Sequence, residues 1–101
     1  MTTIGERAWR VEWTRGVPLD ESGCLDRDAA DEVEELYASK SAAMERARAV
    51  VDAGEDFWGQ VEVVPVVFSP YDECDALRLP HVGFWEPAGY STFVERDLKK
   101  G

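Results

Sequence analysis

Residues that carry covalent or metal chemistry are scarce in this chain. One histidine, His81, and two cysteines, Cys24 and Cys74, stand among 101 residues. A nucleophilic pair needs a base held against Ser or Cys. Cys74 and His81 are separated by a proline-bearing loop and no motif fixes either, so they read as a half-buried thiol and a surface histidine. A zinc site takes about four ligands. Cys24, Cys74 and His81 supply three at a spacing that fits no zinc pattern, and there is no CxxC. The stretch Asp20–Asp31 holds acids at Asp20, Asp26, Asp28 and Asp31, but not in the order of a calcium loop, nor with its glycine. The glycines are scattered singly, which excludes a phosphate-cradling loop. Acids abound, yet nothing singles out two as a glycosidase pair. The expectation is a protein that is not an enzyme and carries no metal or cofactor.

Basic residues are also few. Eleven Lys and Arg face twenty-one Asp and Glu, for a net charge of −10. Nucleic-acid backbones are held by Lys and Arg that displace counterions, and anionic membrane surfaces draw basic segments. Direct binding to either is therefore not expected, whereas a basic protein partner is. No apolar run approaches the ~18 residues of a membrane span. The opening MTTIGERAWR lacks the apolar stretch of a secretory leader. A cytoplasmic location follows as the expectation, with both cysteines reduced.

What is present is a compact set of strands and one helix. Hydrophobic residues make up 45% of the chain, enough for one domain spanning 1–101. The stretch Gln60–Phe68, QVEVVPVVF, is dense in valine, which suits a pleated surface better than a helix. It reads as the inner strand, with Val61 and Val63 on one face and Glu62, Val64, Val66 and Phe68 on the other. Pro65 donates no ladder hydrogen bond, so it is expected to kink the stretch into Gln60–Val64 and Val66–Phe68. The segment Ala8–Arg15 alternates Trp9, Val11 and Trp13 with Arg10, Glu12 and Thr14, a period of two. Its tryptophans are expected in the core, together with Trp58.

The segment 31–38 is ambiguous. Ala30, Val33 and Tyr37 recur at helical spacing, but a helix running on through Lys40 would put that charge on the apolar seam. A strand over 33–38, ended by a serine cap, is favoured. Residues 40–53 form an amphipathic helix, capped by Ser39 or Ser41 and closed by Gly54 in a left-handed C-cap. Met44, Ala47, Val50 and Val51 form its stripe, with Glu45, Arg46 and Arg48 on the wet side. The stretch from Ser69 to Ala76 reads as a loop, Val82–Glu86 and Tyr90–Arg96 as a strand pair, and 97–101 as a frayed tail. The fold class is thus α+β: a small, mostly antiparallel sheet of three to five strands with one helix on a face.

The remaining lead is where the acids fall. Asp20–Glu35 contains eight acids and one base, Arg27. Asp26, Asp28, Asp31, Glu32, Glu34 and Glu35 lie in the run DRDAADEVEE, and Asp72, Glu73 and Asp75 in YDECD. These carboxylates are read as a partner-binding surface. Trp85 is added as an anchor, because adjacent aromatics Phe84 and Trp85 on a strand must point to opposite faces. In size, in these two acidic runs and in its missing active site, the chain resembles small acidic proteins carried by mobile elements. Anti-CRISPR proteins and immunity proteins that neutralise nuclease toxins are two such groups. The resemblance implies an inhibitor that occupies a basic, nucleic-acid-binding surface, its carboxylates standing in for phosphates. The alternative is a small scaffold subunit that forms a homodimer through a sheet edge.

Overall fold

The computed structural model describes residues 2–15, 21–24, 31–53 and 57–94, with the side chains of all but Phe57 and Trp58. Asp26 and Asp28, the C-cap expected at Gly54 and the tail 97–101 lie outside the described residues, as does the side chain of Trp58. The chain runs β1 (Arg7–Arg15), β2 (Asp31–Tyr37), α1 (Lys40–Asp52), β3 (Phe57–Pro70), α2 (Glu73–Arg78), β4 (Gly83–Pro87) and β5 (Thr92–Val94). The fold is α+β. Its strands are ordered β2-β1-β3-β4, β5 also pairs with β3, and every pairing is antiparallel.

The strand β3 organises the molecule, and it is buried on both faces. Val61 and Val63 point toward α1 and belong to the main core with Val11, Trp13, Ala43, Ala47, Val50 and Val51. Val64, Val66 and Phe68 point to the opposite, outer face and are buried as well. There the ring of Trp85 meets Phe68 edge-on, with centroids 5.3 Å apart. Arg10, on β1, reaches across β3 to donate to the Trp85 carbonyl at 3.4 Å, so the sheet curls over this second, smaller core. A strand covered on both sides reads as a continuous apolar run, which is why QVEVVPVVF shows so little alternation. Each fully buried valine contributes about 1.5–3 kcal/mol relative to exposure.

Pro65 does not divide the strand. Its carbonyl accepts from Ala88 N at 2.8 Å. In a strand, a residue's N–H and C=O point to the same side, so the nitrogen of Pro65 also faces that edge. The edge is interrupted there: β4 ends at Pro87 opposite Val66, and β5 begins at Thr92 opposite Val63. The missing donor therefore meets a gap in the neighbouring strand. The bulge lies elsewhere. Glu12 stands opposite Glu62 but Thr14 opposite Trp58, so three residues of β3 face Trp13 alone. Gly59, at φ 83°, supplies the left-handed turn this requires.

The strand pair expected over 82–96 is corrected in the same way. The β4 and β5 strands do not pair with each other; both lie along β3. Packing on the long valine strand buries more apolar surface than an isolated two-stranded ribbon would. The strand favoured over 33–38 is present as β2, running Asp31–Tyr37. The Ser39 Oγ accepts from Ala42 N at 3.2 Å and caps α1. Ala43 joins Ala47, Val50 and Val51 as the buried face, with Met44 half-buried. The small alanines let the helix sit close to the sheet.

Candidate functional site

The outer face of the sheet, away from α1, carries Glu12, Glu32, Glu34 and Glu62. Even-numbered residues of β1 and β2 point there: Arg10, Glu12 and Thr14, and Glu32, Glu34 and Leu36. Register brings two of these positions, Glu34 and Glu12, into line with Glu62 on β3. Glu34 lies directly opposite Glu12, and Glu12 directly opposite Glu62. Glu32 stands one step along, opposite Thr14. Together Glu12, Glu32, Glu34 and Glu62 line an open groove with Gln60 and Thr14. A row of carboxylates crosses three strands at about 4.8 Å per strand.

The electrostatics of the row centre on Glu12. Its carboxyl is held above the usual carboxylate range, first by partial burial and then by the charge of Glu62, while Arg10 pulls it down. Arg10 Nε donates to Glu12 Oε2 at 2.9 Å. Among the described residues no ion pair reaches Glu32, Glu34 or Glu62. Like charges directly opposite one another in a sheet are destabilising. The row is thus an arrangement that the fold itself disfavours.

The sequence-predicted acids separate into three environments. Glu32 and Glu34 belong to the row. Asp31 and Glu35, on the helix-facing side of β2, are paired within the chain. Arg15 Nε lies 3.2 Å from Asp31 Oδ2 and Arg46 Nε 2.8 Å from Glu35 Oε1. Tyr37 also donates to Glu35, at 2.9 Å. The bond from Arg46 holds the Glu35 carboxyl below the usual range. Arg46, placed on the wet side of the helix by periodicity alone, instead bends over the Trp13 ring, 5.7 Å from its centroid.

The second acidic run is a helix, not a loop. Asp72 caps α2, its Oδ1 accepting from Asp75 N at 2.8 Å. An acid three residues before another acid is a legible N-terminal signal. Asp72 raises the carboxyl of Asp75 through its like charge. Asp72 and Glu73 are exposed. The structure does not bring this group to the first. Asp31 pairs through Arg15 with the start of β3 at Phe57, whereas α2 follows the other end of β3 at Pro70. Fourteen strand residues at ~3.3 Å each put roughly 40 Å between them.

The aromatic expectation is also corrected. Phe84 is the exposed member at 43%, tilted against the Tyr71 ring. Trp85 is half-buried on Phe68, because register places it opposite that residue on the outer face. It serves the second core rather than standing free as an anchor.

Glu12 and Glu62 complete the site and were not among the sequence candidates. Each sits at a wet-face position of its strand, and only the pairing of the strands sets them side by side. Both cysteines are exposed, and among the described residues no three His, Cys, Asp or Glu are arranged to hold a metal ion. No described helix is long and apolar enough to cross a membrane. Compared with protein-family models, with curated proteins and with solved structures, the chain matches none.

Proposed function

We propose that the protein is an acidic protein-binding module, an inhibitor that occupies a basic, nucleic-acid-binding surface of a partner protein. One observation carries this reading: the row Glu34–Glu12–Glu62, with Glu32 beside it, on one open face. The chain keeps like charges in register although they oppose folding. A cationic partner gains from each of them and relieves the repulsion as it binds. Steering by such a patch raises the association rate at low salt and loses that effect as salt screens it.

The contact surface on this reading is narrower than the sequence suggests. It is the outer face of β1, β2 and β3, with Glu32, Glu34, Glu12 and Glu62 at its centre. Asp31 and Glu35 hold Arg15 and Arg46 in place, and Asp72, Glu73 and Asp75 lie at the far end of the sheet. The scaffold alternative, a homodimer through a sheet edge, is disfavoured at β2. Pairing that strand with its own copy sets Asp31, Glu32, Glu34 and Glu35 of each chain beside the same four of the other.

The test is capture from cells of the source organism with wild type and with Glu12→Lys/Glu34→Lys/Glu62→Lys. The wild type is expected to retain a basic protein at low salt, to release it at high salt, and to block its binding to nucleic acid. Equal capture by the charge-reversed variant, or a captured protein whose nucleic-acid binding is untouched, defeats the reading.

A further inference from the structure

The partner's mode of attachment is written in the hydrogen-bond phase of the sheet. Phe68 N donates to the Glu6 carbonyl at 2.9 Å, which marks the residue pair 6 and 68 as hydrogen-bonded. Counting along the unbroken register, Ala8, Arg10 and Glu12 also turn their N–H and C=O toward β3. Trp9, Val11, Trp13 and Arg15 then turn theirs toward β2, where their partners are Tyr37, Glu35, Val33 and Asp31. The backbone groups of Glu32, Glu34 and Leu36 must point the other way, off the edge of the sheet. The bond from Ala88 N to the Pro65 carbonyl gives the same phase from the opposite side of the sheet.

The β2 strand is terminal in the strand order, and among the described residues no strand pairs with its outer edge. That edge carries no proline and no glycine, and its seven residues form a full ladder with β1. Among the described residues it is an unpaired template of alternating donors and acceptors. The charge around it selects the occupant. Glu32 and Glu34 project on the outer face beside those open groups, and no ion pair reaches either among the described residues.

We infer that the partner binds by adding an extended, Lys- or Arg-bearing strand antiparallel or parallel to β2, through the open backbone groups of Glu32, Glu34 and Leu36. This rests on the reading of the protein as an acidic binding module and states how that module engages. Main-chain hydrogen bonds hold the added strand. Its cations fall next to Glu34 and Glu32 and extend the row Glu34–Glu12–Glu62 by one strand, now with the opposite sign. Charge opposes a second copy at this edge and favours a basic chain.

The experiment uses the intact protein, a short synthetic peptide alternating lysine and threonine, and its glutamate–threonine counterpart. Amide hydrogen exchange is read residue by residue. The lysine peptide is expected to slow exchange at Glu32, Glu34 and Leu36, and the glutamate peptide to leave them unchanged. Leu36→Pro removes one outward N–H, keeps every charge, and spares the bonds to β1. It is expected to weaken the lysine peptide by about tenfold, since a lost main-chain bond and a ring against the incoming strand together exceed the 1.4 kcal/mol that a factor of ten represents. If Leu36→Pro does not fold, exchange in the wild type decides alone. Peptide binding that leaves those amides unprotected, with Glu34→Lys still abolishing it, overturns strand addition while the charge reading stands. No lysine-peptide binding, or equal protection by both peptides, overturns the proposed occupant. Concentration-dependent protection in the free protein, with a dimer's mass in light scattering, assigns the edge to a second copy instead.

Discussion

Replacing Glu12 with glutamine isolates the energetic content of the acidic row. The substitution keeps the shape of the side chain and deletes one charge. In the native sheet that charge has Glu34 directly opposite on one side and Glu62 on the other. The like charge of Glu62 costs about 0.2–1 kcal/mol, and partial burial of the Glu12 carboxylate, the first cause of its raised value, adds to that cost. Against this stands the pair with Arg10, 2.9 Å long and partly open to solvent at 16% and 27% exposure. Such a pair is worth less than about 1 kcal/mol, and glutamine still accepts a hydrogen bond from Arg10. The net expectation at neutral pH is a gain of about 0.5–1 kcal/mol, or about 2–8 °C in melting temperature for a chain of this size.

The sign with pH follows from the raised carboxyl. Glu12 holds its proton more tightly folded than unfolded, so its contribution is fully present below the ordinary value of 4.5 and is lost as pH rises through the raised value. The gain from Glu12→Gln should therefore vanish below pH 4.5, where wild-type Glu12 is already neutral. Thermal melts followed by circular dichroism at neutral and acid pH measure both quantities. A variant that is less stable than wild type at neutral pH, or whose difference from wild type is the same at both, refutes the argument.

Glu35 provides the opposite case. Its lowered carboxyl contributes stability above 4.5 that is lost as pH falls. Arg46→Ala, which removes that ion pair and the contact over Trp13, should cost about 1–2 kcal/mol in denaturant titration at neutral pH and less in acid. Gly83→Ala should cost about 3 kcal/mol, because a Cβ there would overlap the backbone carbonyl of Ser69. An unchanged melting midpoint would show that β4 lies farther from β3. Trp85→Ala should cost about 2 kcal/mol through the second core, whereas Phe84→Ser should stay within about 0.5 kcal/mol. Equal effects of the two would reverse their assignment to buried and exposed faces.

Much of the architecture is legible from local chemistry. The alternation in Ala8–Arg15, the valine density of Gln60–Phe68 and the capped alanine-rich helix each mark their element, because side-chain stiffness, period and capping act within a few residues. The signal was weaker where one residue type has two uses. Pro65 reads as a kink, but tertiary structure leaves its nitrogen facing the gap between β4 and β5. The acidic stretch after Tyr71 reads as a loop, but Asp72 caps a short helix there. Arg46 reads as wet, yet Trp13 and Glu35 lie within its reach.

Composition and periodicity by themselves determined that this is an acidic α+β chain and which faces of Ala8–Arg15 and of the helix are apolar, and they left 31–38 open between strand and helix. Strand partners, register and bulge came only with the tertiary structure. Those choices placed Glu12 between Glu34 and Glu62, turned Asp31 and Glu35 toward Arg15 and Arg46, and set Asp72–Asp75 at the other end of β3. The reason is one of range. Backbone propensity and side-chain period act over neighbours in the chain, whereas the row of carboxylates joins residues from three separate segments, whose alignment is set by burial of the valine strand on both its faces.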